Sequence, residues 1–414
     1  MKHLIVALGL LPFLAPDRER AAERIREALV PGAKVELAEA ARVALEELDG
    51  SRVGARLRER MAKDPDLGAS LALTLEELDF RPTFEGDMPV GWPAPTPLEE
   101  IEVKRYPVTR LARAEMGAGG FGPFMSLFRH ISQRDIAMTV PVEMELEGER
   151  AREVSMGFLY QGTDVGKLES DGTVRVIDVA PATFVSLGQR GNTSAARTRA
   201  ALDELRNYVA AREHLVPTGS DRVLEYNGPS VRGNRRYYEV QMGVLDLTVA
   251  QFATPLEVAR WTTVDDRVMG GVSQSRLVAT SEGTARFEGV MSLESNGGFA
   301  SVRSAPGDWI AKGTEALRLR VRGDGKSYQL RLRTSEDFDG PSYAASFVAE
   351  AGEWHEVTLA LDTFRATFRG REVPAEPLAA ERVRTLGLML ADGQAGAFAL
   401  EIAWIRRVPL AETK

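Results

Sequence analysis

Leu317-Arg-Leu-Arg-Val-Arg322 and, shortly after, Tyr328-Gln-Leu-Arg-Leu-Arg333 alternate apolar with mostly charged side chains. A period of two places every apolar group on one face and the guanidinium groups on the other. Each run therefore reads as a half-buried antiparallel strand. Turn formers punctuate such runs at short intervals: Gly270-Gly271, Gly283, Gly297-Gly298, Gly323-Asp-Gly325, Asp339-Gly340, Gly352, Gly370 and Asp392-Gly393. Many short strands with regular turn signals and no helical period predict an antiparallel sandwich or jelly roll over residues 249–410.

The whole chain has 414 residues, which implies two or three domains. At 44% hydrophobic and 27% charged residues it has the composition of a folded globular protein. Its net charge of −8 gives no bulk attraction for a polyanion, so no nucleic-acid partner is expected. The complete lack of cysteine excludes disulfides, thiolate catalysis and iron–sulfur clusters. Only four histidines occur, His3, His130, His214 and His355, and they are far apart, so no metal site is expected. There is no P-loop, G-x-S-x-G or HExxH motif, and the chain is expected not to be an enzyme.

Upstream, Met1-Lys2-His3 precedes an apolar run from Leu4 to Ala15. The run is shorter than the roughly 20 residues of a membrane span. Its basic start fits a secretory signal, whereas Phe13 and Pro16 make a poor cleavage site. Residues 1–16 are thus either signal-like or a buried first element. An exported or membrane-associated location is slightly favoured, with the cytoplasm as the alternative. Residues 17–81 carry amphipathic helical patterns, over 17–30 with Asp17 as cap, on the stripe Val35–Leu48, and at 51–63 and 66–78. They predict a small hairpin or bundle whose charges form a solvated face. Residues 82–98 hold Gly86, Pro89, Gly91, Pro93, Pro95 and Pro97 and read as an extended linker.

In residues 99–248, Ile101–Glu115 alternates as a strand with one wet face, and Pro123–Ile131 reads as helix. Strands are expected at Ile136–Leu146, Val154–Tyr160, Val174–Leu187 and Arg236–Val244, with an amphipathic helix at Thr193–Arg212. Gly117-Ala-Gly-Gly-Phe-Gly122 has the spacing of a dinucleotide-binding loop. The strand before it is too charged for the doubly buried first strand of that fold, so the run is read as a turn. The order of elements suggests two similar halves with one helix each.

Three stretches of this segment resemble the SOUL haem-binding family: Ile101-Glu-Val-Lys-Arg-Tyr106, Ile136-Ala-Met-Thr-Val-Pro-Val142, and Tyr226-Asn-Gly-Pro229 ahead of Arg235-Arg-Tyr-Tyr-Glu-Val240. The resemblance covers about 99–248 and implies a pseudo-twofold α+β distorted barrel with two helices and an apolar groove for a haem or other tetrapyrrole. Ser155-Met-Gly-Phe-Leu-Tyr160 departs from the family's usual Phe-x-Met-Pro-like strand. Further on, Trp261-Thr-Thr-Val-Asp-Asp-Arg-Val-Met-Gly-Gly-Val-Ser273 resembles the start of the complex I intermediate-associated protein 30 family. Gly297-Gly-Phe-Ala-Ser301, Gly323-Asp-Gly-Lys-Ser-Tyr328 and Leu386-Gly-Leu-Met-Leu390 fit it too, although Ala403 replaces a common acidic residue. This second resemblance, over about 255–406, implies a galactose-binding-like jelly roll; eukaryotic members assist assembly of respiratory complex I, and similar domains bind carbohydrate.

The sequence thus reads as a short helical region, a SOUL-type domain and a jelly roll. The expected function is non-enzymatic binding of a small apolar ligand, haem held non-covalently, with the jelly roll contacting a protein partner. Alternatives are an assembly or scaffolding factor for a respiratory or membrane complex, and an exported carbohydrate-binding protein. Candidate haem-binding residues are His130, Arg129, Met125, Phe128 and Met138, with a structural histidine and core methionines as the plainer reading. In the jelly roll, Asp265, Asp266 and Ser273 could present oxygens to a ligand and Trp261 could stack on a sugar; a tight turn and a core tryptophan are the preferred reading.

Overall fold

The computed structural model describes residues 16–117, 122–336, 340–390 and 393–409. The apolar run 4–15 and most of the glycine-rich run 117–122 lie outside the described residues. The chain divides into two compact units, one ending at Asp246 and one starting at Leu247. The first joins a helical bundle and two further helices to one antiparallel sheet, and the second is built mainly of two antiparallel sheets.

The first unit opens with four helices, α1 (Pro16–Leu29), α2 (Leu37–Glu47), α3 (Arg52–Lys63) and α4 (Leu67–Asp79), packed on a shared core that includes Ile25, Leu48, Leu57 and Leu71. Ser51 and Asp66 cap α3 and α4 by accepting from Gly54 N and Ala69 N. Asp17 lies inside the first turn of α1, where a carboxylate suits the helix dipole, and does not cap it. The basic face is only partly solvated. Arg18 and Arg56 pair with Glu100 and Glu99, and Arg52 Nε donates to the Glu99 carbonyl at 2.9 Å. These contacts seat the bundle against the following sheet.

That sheet has ten strands: β1 (Ile101–Tyr106), β2 (Thr109–Glu115), β3 (Val142–Glu147), β4 (Arg152–Leu159), β5 (Ser170–Asp171), β6 (Val174–Val179), β7 (Ala182–Arg190), β8 (Leu215–Pro217), β9 (Arg222–Glu225) and β10 (Tyr237–Asp246). Their order is β1-β7-β10-β9-β3-β4-β2-β6-β5, with β8 on β10. The helices α5 (Gly122–Gln133) and α6 (Ala195–Ala210) pack one on each half. The expected strands Ile101–Glu115 and Val174–Leu187 are each two strands. Pro107 and Pro181 lack the N–H that a continuous ladder needs. After each break the chain crosses over: β1 pairs with β7 of the second half, and β6 pairs with β2 of the first. The strand expected from Ile136 begins only at Val142.

One face of the sheet is covered by the two helices. The opposite face is covered by residues 82–98, which have no regular structure but do not form a free tether. Phe84, Met88 and Trp92 pack on Val140, Leu224, Tyr226 and Tyr237. Gly188 permits this approach, since a Cβ there would sit 2.5 Å from the Thr96 carbonyl oxygen. Beneath the strap lies a buried polar network. The fully buried Glu239 carboxylate accepts from Lys104 Nζ at 2.9 and 3.1 Å, Thr96 N at 2.6 Å, Ser186 Oγ at 3.0 Å, Tyr237 OH at 3.0 Å and Gln241 Nε2 at 2.6 Å. Lys104, read from its strand pattern as facing water, is 4% exposed.

The second unit contains β11 (Thr248–Gln251), α7 (Pro255–Val258), β12 (Trp261–Thr263), β13 (Gln274–Ala279), β14 (Ala285–Met291), β15 (Ala300–Ser304), β16 (Thr314–Arg322), β17 (Ser327–Arg333), β18 (Ser342–Val348), β19 (His355–Ala360), β20 (Arg365–Phe368), β21 (Arg371–Glu372), β22 (Thr385–Leu390) and β23 (Gly396–Pro409). One sheet runs β13-β14-β23-β16-β19 with β11 on β23; the other runs β12-β15-β22-β17-β18-β20-β21. Their apolar faces share one core, to which the alternating runs contribute Leu317, Leu319, Val321, Tyr328, Leu330 and Leu332. The single turn of α7, fixed by a Thr254–Glu257 capping box, is the departure from an all-strand reading.

Lys104→Met leaves a buried carboxylate without its counter-charge. Urea unfolding is expected to lose about 3–5 kcal/mol, and adding Glu239→Gln should restore part of it. An unshifted midpoint for the single variant would show that the pair does not hold this face together.

Candidate functional site

Helix α5 carries most of the residues marked by the sequence for haem. At 100° per residue, Phe124, Phe128 and Met125 span one arc of about 100°, with Arg129 beyond its edge, and Ile131, Leu127 and His130 occupy the arc next to it. The structure places them so. Leu127 and Ile131 are buried against the sheet, whereas Phe124, Met125 and Phe128 are 41%, 48% and 44% exposed. The Phe124 and Phe128 rings lie parallel at 6.4 Å, and Phe124 also meets Phe158 edge-on at 5.2 Å. Met138 is exposed on the segment leading from α5 to β3. Phe124 was missed by the sequence reading; its i, i+4 spacing from Phe128 was the available signal.

His130 does not join this surface. It is 2% exposed, its Nε2 lies 3.0 Å from Tyr160 OH, and its Nδ1 is buried without a partner. Burial, reinforced by the Arg134 charge, lowers its pKa and favours the neutral ring. The residues present therefore fit a flat apolar group resting on the outer face of α5, and do not fit one ligated by His130. The rest of the Ile136–Val142 motif is structural. Thr139 Oγ1 donates to the Leu159 carbonyl at 2.6 Å, and Val140 is buried under the strap. On the strap side of the sheet, the cavity beside Tyr106, Glu143, Phe184 and Arg222 is about 240 Å³. That is below the roughly 300–1,000 Å³ usual for small-molecule sites. Arg222 closes it, donating to Glu143 at 2.7 Å and to Gln241 at 2.9 Å while stacking 3.8 Å from the Phe184 centroid.

In the second unit the Asp265-Asp266 motif is a clasp. Asp266 is fully buried and accepts from Ser273 N at 2.9 Å, Ser273 Oγ at 2.6 Å, Gly298 N at 2.7 Å and Phe299 N at 3.4 Å. Asp265 accepts from Ser275 N and Oγ at 2.8 and 2.6 Å, and from Ser301 N at 3.2 Å. A Cβ on Gly271 or Gly297 would come within 2.4 or 2.6 Å of the Asp266 side chain, which accounts for both glycines. Asp265, Asp266 and Ser273 are spent on one another, on the Ser275 hydroxyl and on backbone, so their oxygens are not presented to a ligand. Trp261 is buried against Phe252 and Trp309, at 5.3 and 6.2 Å between centroids, and offers no face to a sugar.

Residues 95–243 match the family model for SOUL heme-binding protein, and residues 250–402 match that for complex I intermediate-associated protein 30. The chain joins the two resemblances carried by its motifs. Mitochondrial complex I intermediate-associated protein 30 of Mus musculus is 26% identical over 218 residues, covering 47% of this chain and 65% of that protein. The chain thus spans a little less than two thirds of that relative's length. Among solved structures, the family 11 carbohydrate-binding module of cellulosomal cellulase Lic26A-Cel5E of Clostridium thermocellum is 13% identical. It covers 39% of this chain and 93% of its own, with a TM-score of 0.32. The EcmrR C-terminal domain is 17% identical, covering 36% and 98%, with a TM-score of 0.29. Likenesses of this strength assign nothing here.

Burial by itself raises the Asp266 pKa, but hydrogen bonds from Ser273, Gly298 and Phe299 outweigh it and hold the carboxyl below its ordinary range. Its stabilisation is therefore present above the unfolded value of about 3.9 and lost as pH falls through the lower folded value. Asp266→Asn turns an amide N–H₂ toward backbone donors and should cost the second unit about 3 kcal/mol in denaturant. It should also remove that part of the acid sensitivity. Equal stability of variant and parent at neutral pH would contradict the clasp.

Proposed function

We propose that this chain is a non-enzymatic ligand-binding protein whose first unit holds a flat, apolar tetrapyrrole such as haem, non-covalently, on the outer face of α5. The reading is supported by the match of residues 95–243 to the SOUL model. The observation that carries it is the row Phe124, Met125 and Phe128, three large apolar side chains left nearly half exposed on a helix whose other face is fully packed. Burying such a side chain contributes about 1.5–3 kcal/mol in full, so covering the exposed half of three gives roughly 2–4 kcal/mol. Met138 extends the apolar surface, Arg129 supplies a cation at its rim for a carboxylate substituent, and Met125 offers an exposed thioether. A bound haem would supply its own iron and ring chemistry. The protein residues bury one ring face and orient its charged edge. In this reading the curved ten-stranded sheet of 99–248 is the distorted barrel and 249–410 the galactose-binding-type jelly roll.

A second role is favoured by the match of residues 250–402 to complex I intermediate-associated protein 30. In this role the second unit docks on a protein partner, making the chain an assembly or scaffolding factor for a respiratory or membrane complex.

Haemin titrated into the full chain should give a saturable Soret change. Phe128→Glu should weaken it at least tenfold and Met125→Ala about three- to tenfold, whereas His130→Ala should leave its wavelength unchanged. The absence of saturation, or loss of the band in His130→Ala alone, would overturn the assignment. For the second role, affinity capture from membrane extracts should retain stable partners with the full chain and lose them when residues 249–414 are deleted; equal recovery by both would refute it.

A further inference from the structure

We propose that the open cleft between α4 and the loop ahead of β10 binds an amphiphilic carboxylate, a hydrocarbon chain with one anionic head. The chain lies on Leu29, Leu75 and Phe80, and the head is met by Arg81 and Arg235. The site shares no residue with the outer face of α5 and does not rest on the tetrapyrrole reading. Its volume is about 500 Å³, within the usual range for a small-molecule site. The floor is apolar because two cores reach the surface there. Leu29 and Leu75 are half-buried at the margin of the bundle core, and Phe80, just past the end of α4, packs on the cluster under the strap. Two neighbours fix Phe80: its ring lies 6.3 Å from that of Tyr237, and the Arg190 guanidinium stands 5.7 Å from its centroid. At Ala72, an exposed position of α4 in the lining, the short side chain keeps the floor open.

The lining is positive once its ion pairs are counted. Glu76 accepts from Arg190 at 3.0 Å, and Asp79 accepts from Arg26 at 2.8 and 3.0 Å, so each carboxylate of the cleft has its own counter-charge. Arg81 Nη1 donates to the Leu78 and Phe80 carbonyls at 2.8 and 3.1 Å. Those bonds anchor Arg81 past the C-terminal end of α4, where a cation suits the helix dipole, without neutralising it. The Arg235 guanidinium has no hydrogen-bond or ion-pair partner among the described residues. Four guanidinium groups, those of Arg26, Arg81, Arg190 and Arg235, thus stand against the two carboxylates of Glu76 and Asp79.

The loop that carries Arg235 is held in place by other residues. Arg236 donates to the Pro229 and Val231 carbonyls, each at 2.9 Å, and to Asn192 Oδ1 at 3.1 Å. Glu85 ties the same loop to the strap, accepting from Ser230 Oγ at 2.6 Å and from the Gly228 amide, and Asn227 Nδ2 donates to the Thr83 carbonyl. The 3-10 turn Gly233–Arg235 is thereby fixed at the same cleft as Arg81. A cation held at the margin of an apolar floor, with no protein anion assigned to it, calls for an anion brought by a ligand. The planar guanidinium fork matches carboxylate oxygens in pairs. A hydrocarbon chain then covers Leu29, Leu75 and Phe80, which a bare inorganic ion would leave wet.

Equilibrium dialysis of the full chain against labelled octanoate, with acetate and octan-1-ol as competitors, tests this directly. Octanoate should saturate at one equivalent, and its affinity should fall as salt is raised. Acetate, which lacks the chain, and octan-1-ol, which lacks the charge, should each bind at least tenfold more weakly. Arg235→Glu should weaken octanoate at least tenfold. So should Ala72→Glu, which sets a carboxylate in the cleft at an exposed helix position that tolerates it. Arg232→Glu makes the same charge change at an exposed position of the same loop outside the lining, and should weaken octanoate by less than about threefold. Octan-1-ol binding as tightly as octanoate would overturn the proposal, as would a failure to saturate. Undiminished affinity in a folded Arg235→Glu or Ala72→Glu variant, or equal losses in Arg232→Glu and Arg235→Glu, would do the same. Haemin binding on α5 is measured separately and stands or falls on its own.

Discussion

The ion pair between Lys104 and Glu239 is the constraint on which the first unit is organised. Withdrawing both charges from water costs several kcal/mol for each, and attraction between them repays this only when the remaining hydrogen-bonding positions are filled. Here they are filled by Thr96 from the strap, Ser186 from β7, and Tyr237 and Gln241 from β10. Because Lys104 lies on β1, which has crossed from the first half to pair with β7, the pair also fixes that exchange of edge strands. Sliding β1 by one residue would turn Lys104 toward the helix side and leave Glu239 buried alone. The same geometry explains a strap of irregular chain over a sheet face. Its Thr96 amide completes the carboxylate, and its aromatic residues exclude water from the network.

The second unit solves a related problem without a counter-ion. Asp266 is held ionised by backbone and hydroxyl donors alone, and these come from stretches far apart in the chain: the turn at Ser273 and the Gly298-Phe299 approach to β15. A carboxylate so surrounded acts as a rivet between loops. It also fixes what lies beyond it. The short turn from Asp266 to Met269 carries Val268 and Met269 to the wall of a pocket on the seven-stranded sheet, so Asp266 shapes that wall without lining it.

What the sequence disclosed, and what it withheld, follow the range of the interactions involved. The alternation in β16 and β17 and the helical stripe of α6 were legible because one face of each is apolar and the other wet, a signal contained within a few residues. The two breaks at Pro107 and Pro181 were locally visible as prolines, but their consequence, strands traded between halves, depends on pairing with residues far along the chain. Lys104 read as solvent-facing because its strand alternates, and only the strap makes that face dry. The strap itself was hidden by its glycines and prolines, which signal irregular backbone and say nothing of whether it is packed. His130 was legible as helical but not as inward, since a single histidine among phenylalanines and methionines gives no preference of face. The meeting of Arg81 and Arg235 at one cleft joins residues far apart in the chain, which no local pattern contains.

Two of the stretches that carry the family resemblances, Ile136–Val142 and Trp261–Ser273, do largely internal work. Thr139 and Val140 anchor the crossing into β3, and the two aspartates, the serines and the paired glycines build the clasp. Residues that determine a backbone path must be particular in size, charge and φ, and so they leave a recognisable string. Residues that meet a ligand on an open face are bound by weaker local rules: a phenylalanine, methionine or arginine fits an exposed helix or strand position equally well. The motifs therefore specify the scaffold, while the exposed apolar row proposed to meet a ligand, Phe124, Met125 and Phe128 on α5, lies outside them. Resemblance at the motifs constrains the fold of each unit far more tightly than it constrains the ligand.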